Sequence, residues 1–401
     1  MDFKILRENP SLFLLLLMGA FGVMGGGLLA PGLPALMEPF EVGAHQVGLV
    51  LSTYTLAAAL SLPFTGLFLD VYGRRRVGLF CLAVDGLFGV LAPLSFNFSV
   101  LLVVRFIQGI GIAGLIPVAM SIIGDLYSGR QRLNLIGMLS GSISLGAVVI
   151  PFLGGLLATL NWRFPFWVYG LSLVLGLYFY GYIPETSRPS GQLHLEKFKD
   201  HFQSLGRALK FSRLRSVFYN AILLFFFLYC LVNFLPILLD VSHGLDEWVA
   251  GLFLAISASL SALVATQAVI IDETFKNKIA PGFLLFSLGL ISIPIWPAAE
   301  LISISVLLTG TGIGFIQPTI YNRATKLAPA ELSGGVIAVF NSMKFVGMTA
   351  SPVLLGVVFR YTNPAGPFIA TGIIGVIWAS WDFYGKDSTG REVNIDPNPG
   401  N

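Results

Sequence analysis

A chain of 401 residues that is 55% hydrophobic and 11% charged, with mean hydropathy +0.81, has too little polar surface to cover itself in water, so its solvent is a lipid bilayer. Its formal charge of +3 is small and scattered, with no basic block outside short stretches between apolar runs, which excludes a nucleic-acid partner. Cys81 and Cys230 stand alone in apolar runs, so neither a disulfide framework nor a metal site is expected, and no cofactor either.

The first residues, MDFKILRENPSLFLLLL, place Lys4 and Arg7 before an apolar run. The run continues without a cleavage site, which predicts a retained helix over 12–36 rather than a signal peptide. A spanning helix needs about 20 mainly apolar residues. Eleven further segments meet that need: 45–69, 77–96, 99–124, 133–159, 164–183, 217–239, 248–271, 279–297, 300–322, 332–359 and 365–384. The alternating pattern of a β-barrel is missing, so the expected fold class is an all-α membrane protein with twelve transmembrane helices. The polar segment 184–216 divides it into an N-terminal bundle of six (1–183) and a C-terminal bundle of six (217–384), followed by a tail, 385–401. Leu195, Phe198, Phe202, Leu205 and Leu209 form one stripe in that linker, which reads as an amphipathic helix on the membrane surface.

Basic residues set the orientation. With a cytoplasmic N-terminus, 20 of the 24 lysines and arginines fall on the cytoplasmic side, among them Arg74 to Arg76, Arg130, Arg132, Arg188, Lys276, Lys278, Arg323, Lys326, Lys386 and Arg391. Only Arg163 and Arg360 fall on the other side, so both termini are expected to be cytoplasmic. Arg105 and Lys344 remain inside predicted helices. A charge at a helix centre costs about 2.5–3.5 kcal/mol on insertion scales, so Arg105 should face the protein interior. Gln108 lies on the same face of its helix. Lys344 shares a face with Asn341 and could bind an acidic substrate, carry a charge that responds to protons, or be paired with a carboxylate. Asp85, the only acid deep in the third span, suits a packing role and a proton site equally.

A shift of 201 residues superposes Gly109, Gly111, Pro117, Gly146, Pro151 and Gly155 on Gly310, Gly312, Pro318, Gly347, Pro352 and Gly356. The halves are therefore expected to be structural repeats, an architecture of secondary transporters that rock one half against the other.

The run GLFLDVYGRRR carries a resemblance as well. Gly66, Asp70, Gly73, Arg74 and Arg75 fit the loop signature G-x-x-x-D-x-x-G-R-[RK] between the second and third helices of the major facilitator superfamily. In the second half, Asp272 and Lys276 keep the spacing, but Phe275 replaces the turn glycine. Arg105, Gln108, Gly109 and Gly111 in RFIQGIG resemble the family's fourth-helix signature, and Gly25, Pro31 and Pro34 a looser first-helix pattern. Gly137, Gly146, Pro151, Gly154 and Gly155 follow the fifth-helix pattern G-x8-G-x3-G-P-x-x-G-G of proton-coupled drug antiporters, with Ile150 in place of one glycine. The resemblance implies a loop that latches the halves in one state, a role for Arg105 in proton coupling, and a central cavity lined by Tyr54, Gln108, Tyr229, Asn233, Gln317 and Asn341.

The expected function is alternating-access export of small amphipathic or lipophilic compounds, coupled to protons, by a monomer in the plasma (inner) membrane. Uptake or exchange of a metabolite is the nearest alternative. The four histidines, His45, His194, His201 and His243, lie at the edge of or outside the spans, and HExxH, GxSxG and GxxxxGK[ST] motifs are missing, which argues against an enzyme and against a nucleotide-driven pump. No lining ring or filter suggests a channel.

Overall fold

The computed structural model describes residues 9–187, 195–267, 279–296, 298–329 and 332–387. The expectations for Lys4, Arg7, Arg188, His194, Asp272, Phe275, Lys276, Lys278 and Arg391 lie outside the described residues, as does most of the 385–401 tail. Every regular element among the described residues is helical. Nine of those helices are long and apolar enough to cross a membrane, and two shorter apolar stretches, Pro10–Phe21 and Ile279–Ile295, accompany them.

The first predicted helix is broken. It forms α1 (Pro10–Phe21) and α2 (Met24–Gly27), followed by turns and a 3-10 turn at Pro34–Leu36. Glycines at 22, 25, 26, 27 and 32 and prolines at 31 and 34 explain the break, because glycine weakens a helix and proline removes a backbone donor. After α3 (Ala44–Val47) come α4 (Leu49–Tyr72), α5 (Arg74–Leu91) and α6 (Phe98–Leu126), the last begun by Asn97, whose side chain accepts from the Val100 amide at 2.8 Å. α7 (Gly129–Leu160), α8 (Phe164–Val168) and α9 (Gly170–Tyr182) complete the first set. α10 (Leu195–Lys210) lies in the linker, and α11 (Ser212–His243) starts five residues earlier than the predicted seventh span. α12 (Glu247–Thr266), α13 (Ile279–Ser292), α14 (Ala299–Leu327), α15 (Ser333–Tyr361) and α16 (Gly366–Asp387) follow.

The packing pairs recur. α6 packs on α4 and α5, and α14 packs on α12 and α13; α5 lies against α9 as α13 lies against α16; α1 lies against α7 as α11 lies against α15. Two further crossings, α4 with α15 and α7 with α12, join residues before the linker to residues after it. Tight glycine contacts at these crossings, and between α15 and the neighbouring α3, sit toward the end of the bundle remote from the basic loops. A Cβ at Gly155 would lie 2.5 Å from the Glu247 carbonyl, one at Gly251 would lie 2.5 Å from the Pro151 carbonyl, and one at Gly356 would lie 2.6 Å from the His45 carbonyl. Thr55 and Thr349 share a hydrogen bond of 2.9 Å across the α4/α15 crossing. At Gly137 and Gly141, nearer the basic end of α7, an added Cβ would meet nothing within 4 Å.

α10 does not lie apart from the bundle. Leu205 and Ala208 are buried in the same core cluster as Leu214 and Val217, and a Cβ at Gly335 of α15 would lie 3.3 Å from the Ser204 hydroxyl. Its stripe is therefore buried in that core at Leu205, while Leu209 is 46% exposed.

Candidate functional site

Three arginines open α5, against the direction of the helix dipole, which favours negative charge at an N-terminus. The sequence reading placed them in a loop; in the structure the loop is Gly73 alone. Its φ of +91° and ψ of 155° fall in a region essentially restricted to glycine. Carboxylates offset the arginines. Glu185 accepts from the Arg74 amide at 2.8 Å and the Arg75 amide at 3.2 Å, occupying the position where the orphan amides of a helix start need partners. The Arg74 guanidinium donates to Asp70 at 2.9 Å and to the Leu69 carbonyl at 2.7 Å, and its Nε lies 3.2 Å from Asp125, which in turn accepts from Thr186. Arg75 donates to the Tyr180 carbonyl and lies over the Tyr180 ring. The Asp70 side chain is 67% exposed, and Gly66 is exposed one turn before it. Glu185, Asp125 and Thr186 were not legible as partners, since they come from other helices' ends.

Deeper in the same set of helices lies a buried polar chain. Arg105, Gln108, Asp85 and Ser172 are each fully buried. Arg105 donates through Nη1 to Gln108 at 2.5 Å and through Nη2 to the Gly25 carbonyl at 2.8 Å, with a longer contact to the Val50 carbonyl at 3.4 Å. Gln108 donates its Nε2 to Asp85 at 3.0 Å, and Ser172 donates to the other carboxylate oxygen at 2.7 Å. Asp85 is thus joined to Arg105 through one neutral amide. Tyr169 donates to the Met24 carbonyl at 3.1 Å, and its ring and the Tyr54 ring flank the guanidinium at 5.6 and 4.3 Å.

The break in the first helix acquires a purpose here. Met24 and Gly26 still accept helical bonds from Leu28 and Ala30, whereas the Gly25 carbonyl between them takes Arg105. A side chain at Gly25 would collide with the Tyr54 hydroxyl, and one at Gly26 with the Tyr229 hydroxyl. The Tyr54 hydroxyl is buried without a hydrogen-bond partner among the described residues. Tyr169 and Ser172 were missed in the sequence, because one tyrosine and one serine in an apolar run carry no signal of their own; their spacing of three, on one helix face, is the only clue.

The other predicted residues are less connected. Asn233 is fully buried and donates to the Tyr229 carbonyl of its own helix at 2.8 Å, its side-chain oxygen lying beside Gly48 and unpaired among the described residues. Gln317 is exposed on α14. Asn341 accepts from Lys344 at 3.4 Å, and Lys344 stands over the Phe225 ring at 4.9 Å. In the fifth-helix pattern, Gly146 packs on Ala20 and Val23, Gly154 on the Leu28 backbone and Gly155 on α12, while Gly137 faces open space. Among the described residues no group of three or more His, Cys, Asp or Glu could hold a metal ion.

Comparison with known proteins agrees with this architecture. The chain is 28% identical over 358 residues to a bacillibactin exporter of Bacillus subtilis, covering 85% of this chain and 87% of that one. It is 25% identical to the multidrug efflux protein YfmO of the same organism, covering 88% and 87%. A POT family transporter solved in complex with 5-aminolevulinic acid superposes with a TM-score of 0.79 at 15% identity, over 96% of this chain and 97% of that one, a likeness of fold. The model of the Major Facilitator Superfamily matches residues 15–352. The chain is a multi-pass integral membrane protein of the Major Facilitator Superfamily, a transporter with efflux-type relatives and not an enzyme.

Proposed function

We propose that this protein exports small amphipathic or lipophilic compounds in exchange for protons. It crosses the membrane twelve times with both termini cytoplasmic, as two rocking halves, 1–183 and 217–384, and works as a monomer. The recurring helix pairs and the two crossings between the sets support that division. The relatives' efflux names support the direction of transport.

The observation that carries proton coupling is the buried chain from Gly25 through Arg105, Gln108 and Asp85 to Ser172. Asp85 is the carboxylate in it, facing Gln108 and Arg105 of α6, Ser172 of α9 and Cys81 of its own helix. As a carboxylate it accepts from both Gln108 and Ser172 and balances Arg105. Once protonated it turns one acceptor into a donor and leaves the guanidinium uncompensated in a low-dielectric site. Arg105 holds the break in the first helix, where Tyr54 and Tyr229 meet Gly25 and Gly26 from opposite sets of helices, so a proton on Asp85 bears on the junction of the halves. At the basic end, Asp70 with Gly66, Gly73, Arg74 and Arg75 acts as a latch that stabilises the outward-open state, meeting the start of α15.

The test is transport in proteoliposomes against dyes, drugs and metabolites with and without an imposed pH gradient. Accumulation should require the gradient, collapse with a protonophore and be indifferent to ATP. In Asp85→Asn, transport should lose its dependence on the gradient while the protein remains folded. Transport unchanged by a protonophore overturns the coupling.

A further inference from the structure

We infer that the substrate carries a single negative charge on an apolar body, and that Lys344, with Asn341 and the Phe225 ring, is its headgroup site. This rests on the transporter reading and names the substrate class for it. The first observation is a charge inventory. Deep in the helices, Arg105 is balanced by Asp85 through Gln108, whereas Lys344 has no carboxylate within 4 Å among the described residues. Its contacts there are the Asn341 amide oxygen at 3.4 Å and the Phe225 ring at 4.9 Å. An ammonium held in a mainly apolar site without an anion is costly, and such residues face protein interiors or wet cavities and mark substrate paths. The remaining acids are spent elsewhere or lie at helix ends: Asp70, Asp125 and Glu185 gather around Arg74 and Arg75.

The second observation is position. α15 is one of the helices that touch both sets. Gly347 packs against the α11 backbone beside Phe226, Phe345 packs on the core cluster of the first set, and Thr349 bonds Thr55 of α4. Lys344 is half-buried between these contacts. It lies five residues, about 7.5 Å along the helix, from the Thr55/Thr349 contact on the side toward the basic loops, away from the close glycine approaches of the opposite end. Beside the lysine stands the apolar Phe225 ring, so an anion with an apolar body satisfies the lysine and that wall together. A cation would be repelled, and a neutral solute would leave the ammonium unpaired.

The test measures equilibrium binding of three probes of one ring system, 2-naphthoate, 2-naphthamide and 2-naphthylmethylamine, to the full-length protein in detergent at neutral pH with no gradient. Wild type should bind the naphthoate about tenfold or more tighter than the amide, the size expected of one charge-assisted contact, and the amine most weakly. Lys344→Ala should lose that preference through weaker naphthoate binding, with cooperative thermal unfolding in detergent reporting that the variant is folded; Lys344→Arg should keep the preference. Equal binding of the three probes, no naphthoate binding, or a preference that survives in Lys344→Ala overturns the assignment. Because no gradient is applied, failure of proton coupling leaves this result untouched, and proton-driven flux of the amine or amide in preference to the naphthoate would overturn the anion site while sustaining the transporter reading.

Discussion

At Gly109 helix α6 comes so close to α4 that an added Cβ would lie 2.8 Å from the Ala57 side chain, and at Gly310 helix α14 makes the same approach to α12, 2.5 Å from the Ser257 carbonyl. Gly111 and Gly312 repeat the likeness, each against backbone of the neighbouring α5 or α13, at 2.7 Å from the Asp85 amide and 2.6 Å from the Gly282 carbonyl. The chemistry between these crossings differs. Before the linker it is a charged chain, Arg105, Gln108, Asp85 and Ser172; after it the polar contacts are neutral hydroxyls, Ser257 with Thr309 at 3.2 Å and Ser292 with Ser305 at 2.7 Å, joined by the Trp296 indole at 2.8 Å. Thr309 and Val306 occupy the positions of Gln108 and Arg105 at the shift of 201 residues. Close packing demands the same glycines in both sets, because backbone approach is purely steric. Charge does not have to be duplicated: Val306 and Phe286 stand where the shift of 201 residues places Arg105 and Asp85, which leaves room for the proposed division of proton sensing to one set and substrate charge to the other.

The comparison breaks most sharply at Arg105. Arg105→Ala strands a buried carboxylate and should cost about 3–5 kcal/mol, the range for removing one partner of a buried pair. Thermal unfolding in detergent should show it, and Arg105→Ala/Asp85→Asn should recover part of the loss; a double variant no better than the single one would mean that the two residues are not coupled. Next come Gly109→Ala and Gly310→Ala. Overpacking costs about 1–3 kcal/mol, and the two should lose similar stability if the crossings are equivalent; a tolerated change at one site only would refute the shared scaffold. Ser257→Ala should cost about 0.5–1.5 kcal/mol, as for one neutral hydrogen bond, and leave the gradient dependence of transport intact. A changed gradient dependence would place proton sensing in both sets. The smallest stability effect belongs to Asp70→Asn. An exposed ion pair contributes about 0–1 kcal/mol, so melting should barely move, while cysteine labelling across the basic ends of α4 and α15 should report a wider opening; unchanged labelling and transport would reduce the loop to a topology signal.

The bilayer as solvent, the helical fold and the family were legible in the sequence, because hydropathy, the bias of basic residues and the glycine and proline repeat are one-dimensional quantities. Arg105 was legible too, since a charge in an apolar run is conspicuous wherever the helix packs, and Gln108 followed from helical spacing. Tertiary structure alone decided what those residues hold. Nothing in the sequence announced the partners of Asp85, and α6 and α9 bring Gln108 and Ser172 to its two oxygens; the first span read as one helix over 12–36, whereas it breaks where Arg105 takes the Gly25 carbonyl. Glu185, read as linker, became the partner of the α5 N-terminus by the same route. Spacing along a chain determines which side chains share a helix face, but hydrogen bonds between helices depend on the crossings, and those are set by many weak apolar contacts that no single residue announces.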